Sequence, residues 1–382
     1  MKIIDMELIR ASKYLFVKLH TDEGITGLGE AGAWGYLDAV AGALEKLRGY
    51  IIGKDPTQIE HHWNYMYRSM YFRGSVVLSA ISAIDIALWD ILGKSLNVPV
   101  YKLLGGKTRD KVRTYAPVFE YSAEKMAEGC KKLKEQGFTA ARLMICPTMD
   151  REMAGREDNI YAHKIEDYIS KVRVCRMAVG DDFDLCLEVH RSMSPAEAIA
   201  FARGVEEYRP LFLEDPIAPD NVDALAEVAS KTSIPIASGE RAISLQEMES
   251  LMQARAVRYV RPDVCTIGGI TTCKKIASVA ESHYVSIVPH NPLGPVSTAA
   301  CLQLDACVPN FLIQEFPSFY TFGSEDKMLK QPFKVENGYI IVPDAPGIGI
   351  ELVDDIEEKF PFFQRELTVQ IGYDGSVNDL NQ

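Results

Sequence analysis

Short apolar runs and helix-length amphipathic stretches alternate through the middle of the chain. Runs ending near Pro117, Arg142, Glu188, Glu214, Gly239, Asp263, His290 and Glu315 read as strands. Helical periodicity lies between them, near residues 123–136, 160–179, 194–208, 220–231, 244–254, 269–281 and 295–306. Ser194-Pro195-Ala196-Glu197 opens one of these with a capping-box signature and proline at the first helical position. Eight strands with seven intervening helices predict a closed parallel barrel, because helical crossovers between parallel strands keep one hand. One connection, from Cys146 to about Ile160, is long and polar and could cover the barrel mouth.

The pattern before residue 112 differs. Lys2 to Leu8, Lys13 to His20 and Ile25 to Glu30 read as strands, with a turn at Asp22-Glu23-Gly24. Helical patterns follow near 37–50, 56–69 and 76–96. In the last, Val77, Leu78, Ile81, Ile84, Leu88, Ile91 and Leu92 recur at helical spacing. Strands followed by helices describe an α+β unit. Turns at Gly338-Tyr339 and Gly347-Ile348-Gly349-Ile350 mark an otherwise irregular tail. The expected organisation is an α+β capping domain over 1–111, a β/α barrel over 112–330 and a tail over 331–382 packed on the cap. The fold class is α/β, a modified TIM barrel of the (β/α)7β type with an N-terminal cap completed by the C-terminal segment.

Polar residues close the barrel strands at an even beat. Glu188, Glu214 and Glu240 are 26 and 26 residues apart, and Asp263, His290 and Glu315 follow at 23, 27 and 25. That is one βα unit per step, and strand ends form the catalytic face of such barrels. Three carboxylates aimed at one point repel unless a cation joins them. All-oxygen ligands from Glu188, Glu214 and Glu240 suit Mg²⁺, with Mn²⁺ as the alternative, better than Zn²⁺. Alternation along a strand puts His190 on the same face as Glu188. Asp263 and His290 end neighbouring strands, so the carboxylate can fix the imidazole tautomer and raise its basicity above the ordinary value of about 6.5. Two imidazoles flanking a metal-bound carboxylate can divide the labour, one removing a proton and the other protonating a leaving hydroxyl. A protonated Glu315 could hydrogen-bond a developing oxyanion. Arg142 stays protonated and binds a substrate oxygen rather than acting as a base. The expected chemistry is α-proton abstraction from a metal-bound carboxylate to an enediolate; where the β-carbon bears a hydroxyl, its acid-assisted departure gives a 2-keto acid, the dehydration of a polyhydroxy acid.

Bulk properties narrow the class. The 382 residues are 47% apolar and 25% charged, enough for a barrel with additions. A net charge of -12 and a pI near 5.2 argue against nucleic acid or an anionic membrane as partner. No apolar run approaches the roughly 20 residues of a membrane span. The start, Met1-Lys2-Ile3-Ile4-Asp5, lacks a signal-peptide pattern. Eight cysteines without CxxC pairs read as buried reduced thiols, which points to the cytoplasm.

Ser82-Ala83-Ile84-Asp85-Ile86-Ala87-Leu88-Trp89-Asp90, Lys102-Leu103-Leu104-Gly105-Gly106, Ser238-Gly239-Glu240-Arg241 and Ile267-Gly268-Gly269-Ile270 resemble the mandelate racemase branch of the enolase superfamily, over nearly the whole chain. Within it, Tyr50 to Pro56, Met66-Tyr67-Arg68 and Pro289 to Pro295 are similar to the D-galactonate dehydratases. Val189-His190-Arg191, Val308 to Phe311, Pro346 to Glu351 and Arg142-Leu143-Met144 look like the D-mannonate dehydratases. The resemblance implies His190 as acid and His290 as base, or an arginine-tyrosine pair such as Arg142 with Tyr161. It also implies Mg²⁺ and a homo-oligomer, often an octamer. The first ligand is usually Asp in these families, so Glu188 departs by one methylene. Trp34, Tyr36, Tyr71, Phe72 and Arg73 are expected in loops closing over the mouth, with Trp34 and Arg73 on substrate. D-mannonate, D-gluconate or aldarate dehydration, an epimerase or cycloisomerase through the same enediolate, and a non-catalytic metal and sugar-acid binding barrel are the alternatives. A Schiff-base aldolase would need a lysine at a strand end, and none is found.

Overall fold

The computed structural model describes residues 1–146, 160–317 and 325–365, with 367, 370–371, 375 and 377–378 of the tail. Strands β1 (Ile3–Ala11), β2 (Tyr14–Thr21) and β3 (Thr26–Ala31) form an antiparallel sheet. Helices α1 (Leu37–Ile51), α2 (Ile59–Ser69) and α3 (Ser75–Ser95) follow it. α3 lies directly on β3 because two strand positions lack a side chain. A Cβ at Gly27 would sit 2.1 Å from Ala87 O, and one at Gly29 1.8 Å from Ala83 O. By length and composition α3 is apolar enough to cross a membrane, which corrects the expectation that no segment reaches that threshold. Its most apolar window is 78% buried inside the protein, as a core helix would be.

The few polar residues of α3 tie the cap to the rest. Ser82 Oγ accepts from Gly268 N at 2.8 Å. Asp85 accepts from the Thr271 hydroxyl at 2.5 Å and the Thr271 amide at 3.1 Å. Trp89 Nε1 donates to Thr271 Oγ1 at 2.9 Å. Asp90 accepts from Leu28 N, Ile348 N and Lys94 Nζ at 2.9, 2.9 and 2.6 Å. The conspicuous Ser82–Asp90 motif is therefore a docking device that satisfies buried backbone amides of the barrel and the tail.

The barrel strands are β4 (Lys111–Val118), β5 (Ala140–Met144), β6 (Asp184–Glu188), β7 (Phe212–Glu214), β8 (Ile236–Ser238), β9 (Tyr259–Val260), β10 (Ser286–Ile287) and β11 (Gln314–Glu315). β4 to β10 pair in parallel in sequence order, and β11 returns to β4 through Gln314↔Thr114 and Glu315↔Tyr115. Ile287 N to Asn310 O and Leu312 N to Ile287 O, at 2.8 and 3.0 Å, close the remaining gap. After the short α4 (Val100–Leu103), α5 to α11 run over Ala123–Glu135, Tyr161–Val179, Pro195–Val205, Val222–Ser230, Leu245–Gln253, Gly269–Ser282 and Pro295–Cys307. These match the expected helices to within a few residues. The capping box at Ser194 and Glu197 forms as read.

The tail is less irregular than its sequence reads. β12 (Val335–Glu336) and β13 (Tyr339–Ile341) make a hairpin, and β13 pairs antiparallel with the start of β4. Further on, α12 (Ile356–Lys359) reaches the cap, where Glu357 accepts from Arg10 N at 2.9 Å. The long connection expected to cover the mouth falls mostly on residues outside those described.

Inside the barrel, Tyr115, Ala140, Cys186, Phe212, Ala237, Val288 and Ile313 form an apolar floor. Two residues further along three of these strands come Arg142, Glu188 and Glu214, on the same face and one layer nearer the mouth.

Replacing Asp90 by Ala would leave the Leu28 and Ile348 amides without this acceptor and the Lys94 ammonium with only the Thr26 carbonyl, 2.9 Å away. We expect this to lower stability by about 3 kcal/mol, read from the urea midpoint. Removing the exposed Arg209–Asp181 pair, 2.7 Å apart, should leave the midpoint unchanged.

Candidate active site

β6 and β7 set Glu188 directly beside Glu214 in register. Glu240 follows Gly239, whose φ of 126° turns the chain over the end of β8. Carboxylate oxygens of Glu188, Glu214 and Glu240 lie within 4.8 Å of one another. Glu214 is fully buried, and neither of its oxygens accepts a hydrogen bond of normal geometry, although Arg261 lies 2.8 Å from Oε1. Burial, and then neighbouring Glu214, push the Glu188 carboxyl well above its ordinary range in spite of Arg142. Three converging hard oxygen donors with unsatisfied lone pairs fit a divalent cation such as Mg²⁺.

Guanidinia brace these acids. Arg142 donates to Glu315 Oε1 at 2.7 Å and lies 3.6 and 3.7 Å from Glu188 and Glu214. Arg261, wholly buried, donates to Glu315 Oε2 at 2.8 Å and to the Tyr115 hydroxyl at 2.7 Å. It thereby stands the charged layer on the aromatic floor. Arg191 bonds Glu240 and lies 3.7 Å from Asp215. Burial works against ionising Glu315, but Arg142 and Arg261 outweigh it and bring its pKa down to about 2. Glu315 is therefore a carboxylate, which corrects the expectation of a protonated donor: it anchors two arginines.

His290 Nδ1 faces Asp263 Oδ2 at 2.8 Å across a bridge just beyond β9 and β10, as the strand-end spacing predicts. Its Nε2 lies 3.4 Å from Glu240. Burial lowers the imidazole pKa, but Glu240 and Asp263 outweigh it and raise it to about 9. His190 reaches the mouth differently from the expected strand alternation. β6 ends at Glu188, and His190 and Arg191 both take left-handed backbone, with φ of 57° and 68°. The turn is held by His190 N donating to Glu188 Oε1 at 2.6 Å and by Arg191 N donating to Asp215 O at 2.7 Å. Arg191 also donates to His190 Nε2 at 3.1 Å. Burial first, then this guanidinium, depress the His190 pKa to about 3.

Arg142, Glu188, His190, Glu240, His290 and Glu315 line one cavity of about 210 Å³. Pro117, Phe119, Met144, Pro292 and Pro317 supply its apolar wall, and Lys13 and Arg365 also reach it. Trp34 is not in that lining; the Arg365 guanidinium stacks over its ring at 4.3 Å. Arg73 is exposed and bonded to the Tyr67 hydroxyl, away from the cavity, and Tyr71 and Phe72 are solvent-facing. Tyr161, at the start of α6 and half exposed, is not brought to Arg142 as a cavity-lining pair. Sequence reasoning missed Arg191, Arg261, Lys13 and Arg365. Arg261 carried a signal, since it stands two residues before Asp263, just beyond the end of β9.

The chain is similar to known proteins over nearly its whole length. Residues 3–105 match the mandelate racemase / muconate lactonizing enzyme N-terminal domain, and residues 125–356 match the enolase C-terminal domain-like family. A D-galactonate dehydratase from Ralstonia pickettii (strain 12J) is 38% identical over 346 residues, covering 89% of each chain. A solved member of the enolase superfamily from Salmonella Typhimurium superposes with TM-score 0.89 at 33% identity, covering 94% of this chain and 98% of that one. An enolase from Agrobacterium radiobacter, provisionally assigned as a galactarate dehydratase and solved with sodium and L-malate, gives 0.90 at 31% identity, covering 99% and 100%. Two matching domain models in the expected order, and similarity along nearly the full length, identify the chain as a hydro-lyase enzyme that belongs to the mandelate racemase / muconate lactonizing enzyme family of the enolase superfamily.

Proposed function

We propose that the chain is a Mg²⁺-dependent acid-sugar dehydratase that removes the C2 proton and the C3 hydroxyl of a galactonate-configured acid, giving a 2-keto-3-deoxy acid. The observation carrying this reading is the convergence of Glu188, Glu214 and Glu240 beside the Asp263–His290 pair. The three glutamates would hold the cation, which when bound supplies Lewis-acid stabilisation of the negative charge that develops on the substrate carboxylate. The configuration follows the D-galactonate dehydratases that this chain resembles at about 37% identity.

His290 is the base. Asp263 holds its Nδ1, so Nε2 is the atom that takes the C2 proton. His190 is the acid that delivers a proton to the departing hydroxyl. Arg142, beside Glu188 and Glu315, positions a substrate oxygen. The resting protonation is the reverse of the working one: His290, raised to about 9, holds a proton, while His190, lowered to about 3, does not. Glu240 is the strongest influence raising His290, and its engagement as a ligand weakens that influence. The eight buried thiols support a cytoplasmic setting, and the exposed pair Tyr71 and Phe72 supports contact between subunits of a homo-oligomer.

Glu214→Gln should bind Mg²⁺ at least about 100-fold more weakly by calorimetry and form no 2-keto acid, with its far-UV spectrum unchanged. Mg²⁺ binding should release protons, because Glu188 must ionise, and affinity should fall as pH drops through its raised pKa. Retained affinity in the glutamine variant would remove Glu214 from the ligand set.

His290→Asn should keep metal binding but stop exchange of the C2 proton with deuterated solvent. In the unmutated enzyme, exchange should rise with pH as His290 loses its proton, at a pH below the value of about 9 set by Glu240 free of a cation. The share of exchange events that proceed to product should fall over the same range, because protonated His190, with its pKa near 3, becomes scarcer. A constant ratio of exchange to product across pH would assign both proton transfers to one residue.

A further inference from the structure

We propose that Glu30, a buried carboxyl of the cap, is a positioning residue for the base: it grips the segment that carries His290 and so keeps the imidazole on Asp263. This rests on the dehydratase reading, in which His290 takes the C2 proton, and extends it to a residue outside the cavity.

Glu30 lies in β3 and is fully buried. Its Oε1 accepts from Gly294 N at 2.6 Å and its Oε2 from Ser297 N at 2.8 Å. Both amides stand at the start of α11, where unpaired N–H groups and the helix dipole favour a carboxylate. The hydrogen bonds continue from there to the site. Ser297 Oγ donates to Asn291 Oδ1 at 2.8 Å, and Asn291 Nδ2 donates to Thr298 Oγ1 at 2.9 Å. Asn291 N donates to Glu315 Oε2 at 2.9 Å. The segment 290–297 is thus held at one end by the carboxylate layer and at the other by the cap. His290 and Pro292, both on it, line the cavity. The exit of β3 bears on the other member of the pair. Gly32 N donates to Cys265 O at 3.0 Å, and Cys265 N donates to Asp263 Oδ1 at 2.8 Å. One short stretch of the cap therefore supports both Asp263 and His290, although neither Glu30 nor Gly32 lines the cavity. Ser82, Asp85 and Asp90 also dock the cap, but none of their partners lines the cavity. Burial raises the Glu30 carboxyl to about 8 against the pull of the Ser297 and Gly294 amides. The ionised form is the one that accepts fully from both. A base misplaced by about 1 Å can lose about 100-fold in rate, so a grip on this segment bears directly on proton abstraction.

The test uses full-length enzyme loaded with Mg²⁺ at pH 9, where the Glu30 carboxylate prevails. Glu30→Gln keeps the shape but turns a donor towards one of the two amides. It should lower the saturating rate of C2-proton exchange of the galacto-configured aldonate by about tenfold or more, with KM and Mg²⁺ affinity unchanged. Glu30→Asp, which keeps the charge, should recover part of the loss. A normal exchange rate in Glu30→Gln, or a rate lost together with Mg²⁺ affinity, overturns the proposal. Should Glu30→Gln fail to fold, Ser297→Ala cuts only the link to Asn291 and should cost about fivefold in rate at unchanged KM; an undiminished rate there overturns the proposal equally. A readout without turnover separates this inference from the dehydratase reading. The Nδ1 proton of His290, a downfield proton resonance that His290→Asn removes, should disappear in Glu30→Gln or in Ser297→Ala. Its disappearance supports the positioning role even where no sugar acid exchanges its proton, an outcome that sinks the dehydratase reading alone. Its persistence overturns the positioning role.

Discussion

Five carboxyl groups, those of Glu188, Glu214, Glu315, Asp215 and Asp263, are buried at the mouth of one barrel with the partly buried Glu240 among them, and their mutual repulsion is the constraint that organises everything around them. Like charges about 4 Å apart in a protein environment repel by roughly 4 kcal/mol per pair, more than most single contacts return. Three guanidinia answer part of this. Arg261 spans Glu214, Glu315 and Tyr115; Arg142 spans Glu315, Glu188 and Glu214; Arg191 spans Glu240 and Asp215. Each arginine serves at least two acids, so the layer is a mesh rather than a set of pairs. Its least compensated member is Glu188, whose carboxyl burial drives upward, next to a Glu214 whose oxygens lack hydrogen-bond donors. The shortfall of positive charge therefore falls where the three glutamates converge.

The even spacing of Glu188, Glu214, Glu240, Asp263, His290 and Glu315 was legible because a parallel barrel converts sequence period into angular position. One residue per βα unit arrives at the mouth whatever the intervening helix contains. The Asp263–His290 contact follows from that rule alone. His190 shows where the rule stops. Its position two residues after Glu188 suggested strand alternation, yet the chain has already left β6 and turns through two left-handed residues. Only tertiary bonds from Glu188 and Asp215 make that turn affordable. Glu315 shows another limit, because its protonation depends on Arg142 and Arg261 reaching it from strands 173 and 54 positions away. Local pattern carries no information on such distances.

The tail repeats the lesson. Its strands β12 and β13 are too short to announce themselves, and they exist because β4 offers an open edge to pair with. The same dependence on a partner governs α3, whose apolar sequence alone would suit a membrane. Ser82, Asp85, Trp89 and Asp90 settle the matter, since each meets a barrel or tail group that would otherwise be buried without a hydrogen bond. Polar residues on an apolar helix thus report what the helix docks against, and through that docking they fix the cap over the mouth.

The same division between regular strand ends and joined chain segments shapes the cavity. The reacting end of the site rests on successive strand ends, where any shift of register would move a whole side-chain face, so it is rigid and its pattern is regular. The opposite end draws on Lys13, Trp34 and Arg365, a turn, a loop and a tail that meet only when the chain closes on itself. The two ends of the cavity are therefore built differently in this architecture: barrel strand ends fix the carboxylate layer, and the joined ends of the chain supply the opposite wall.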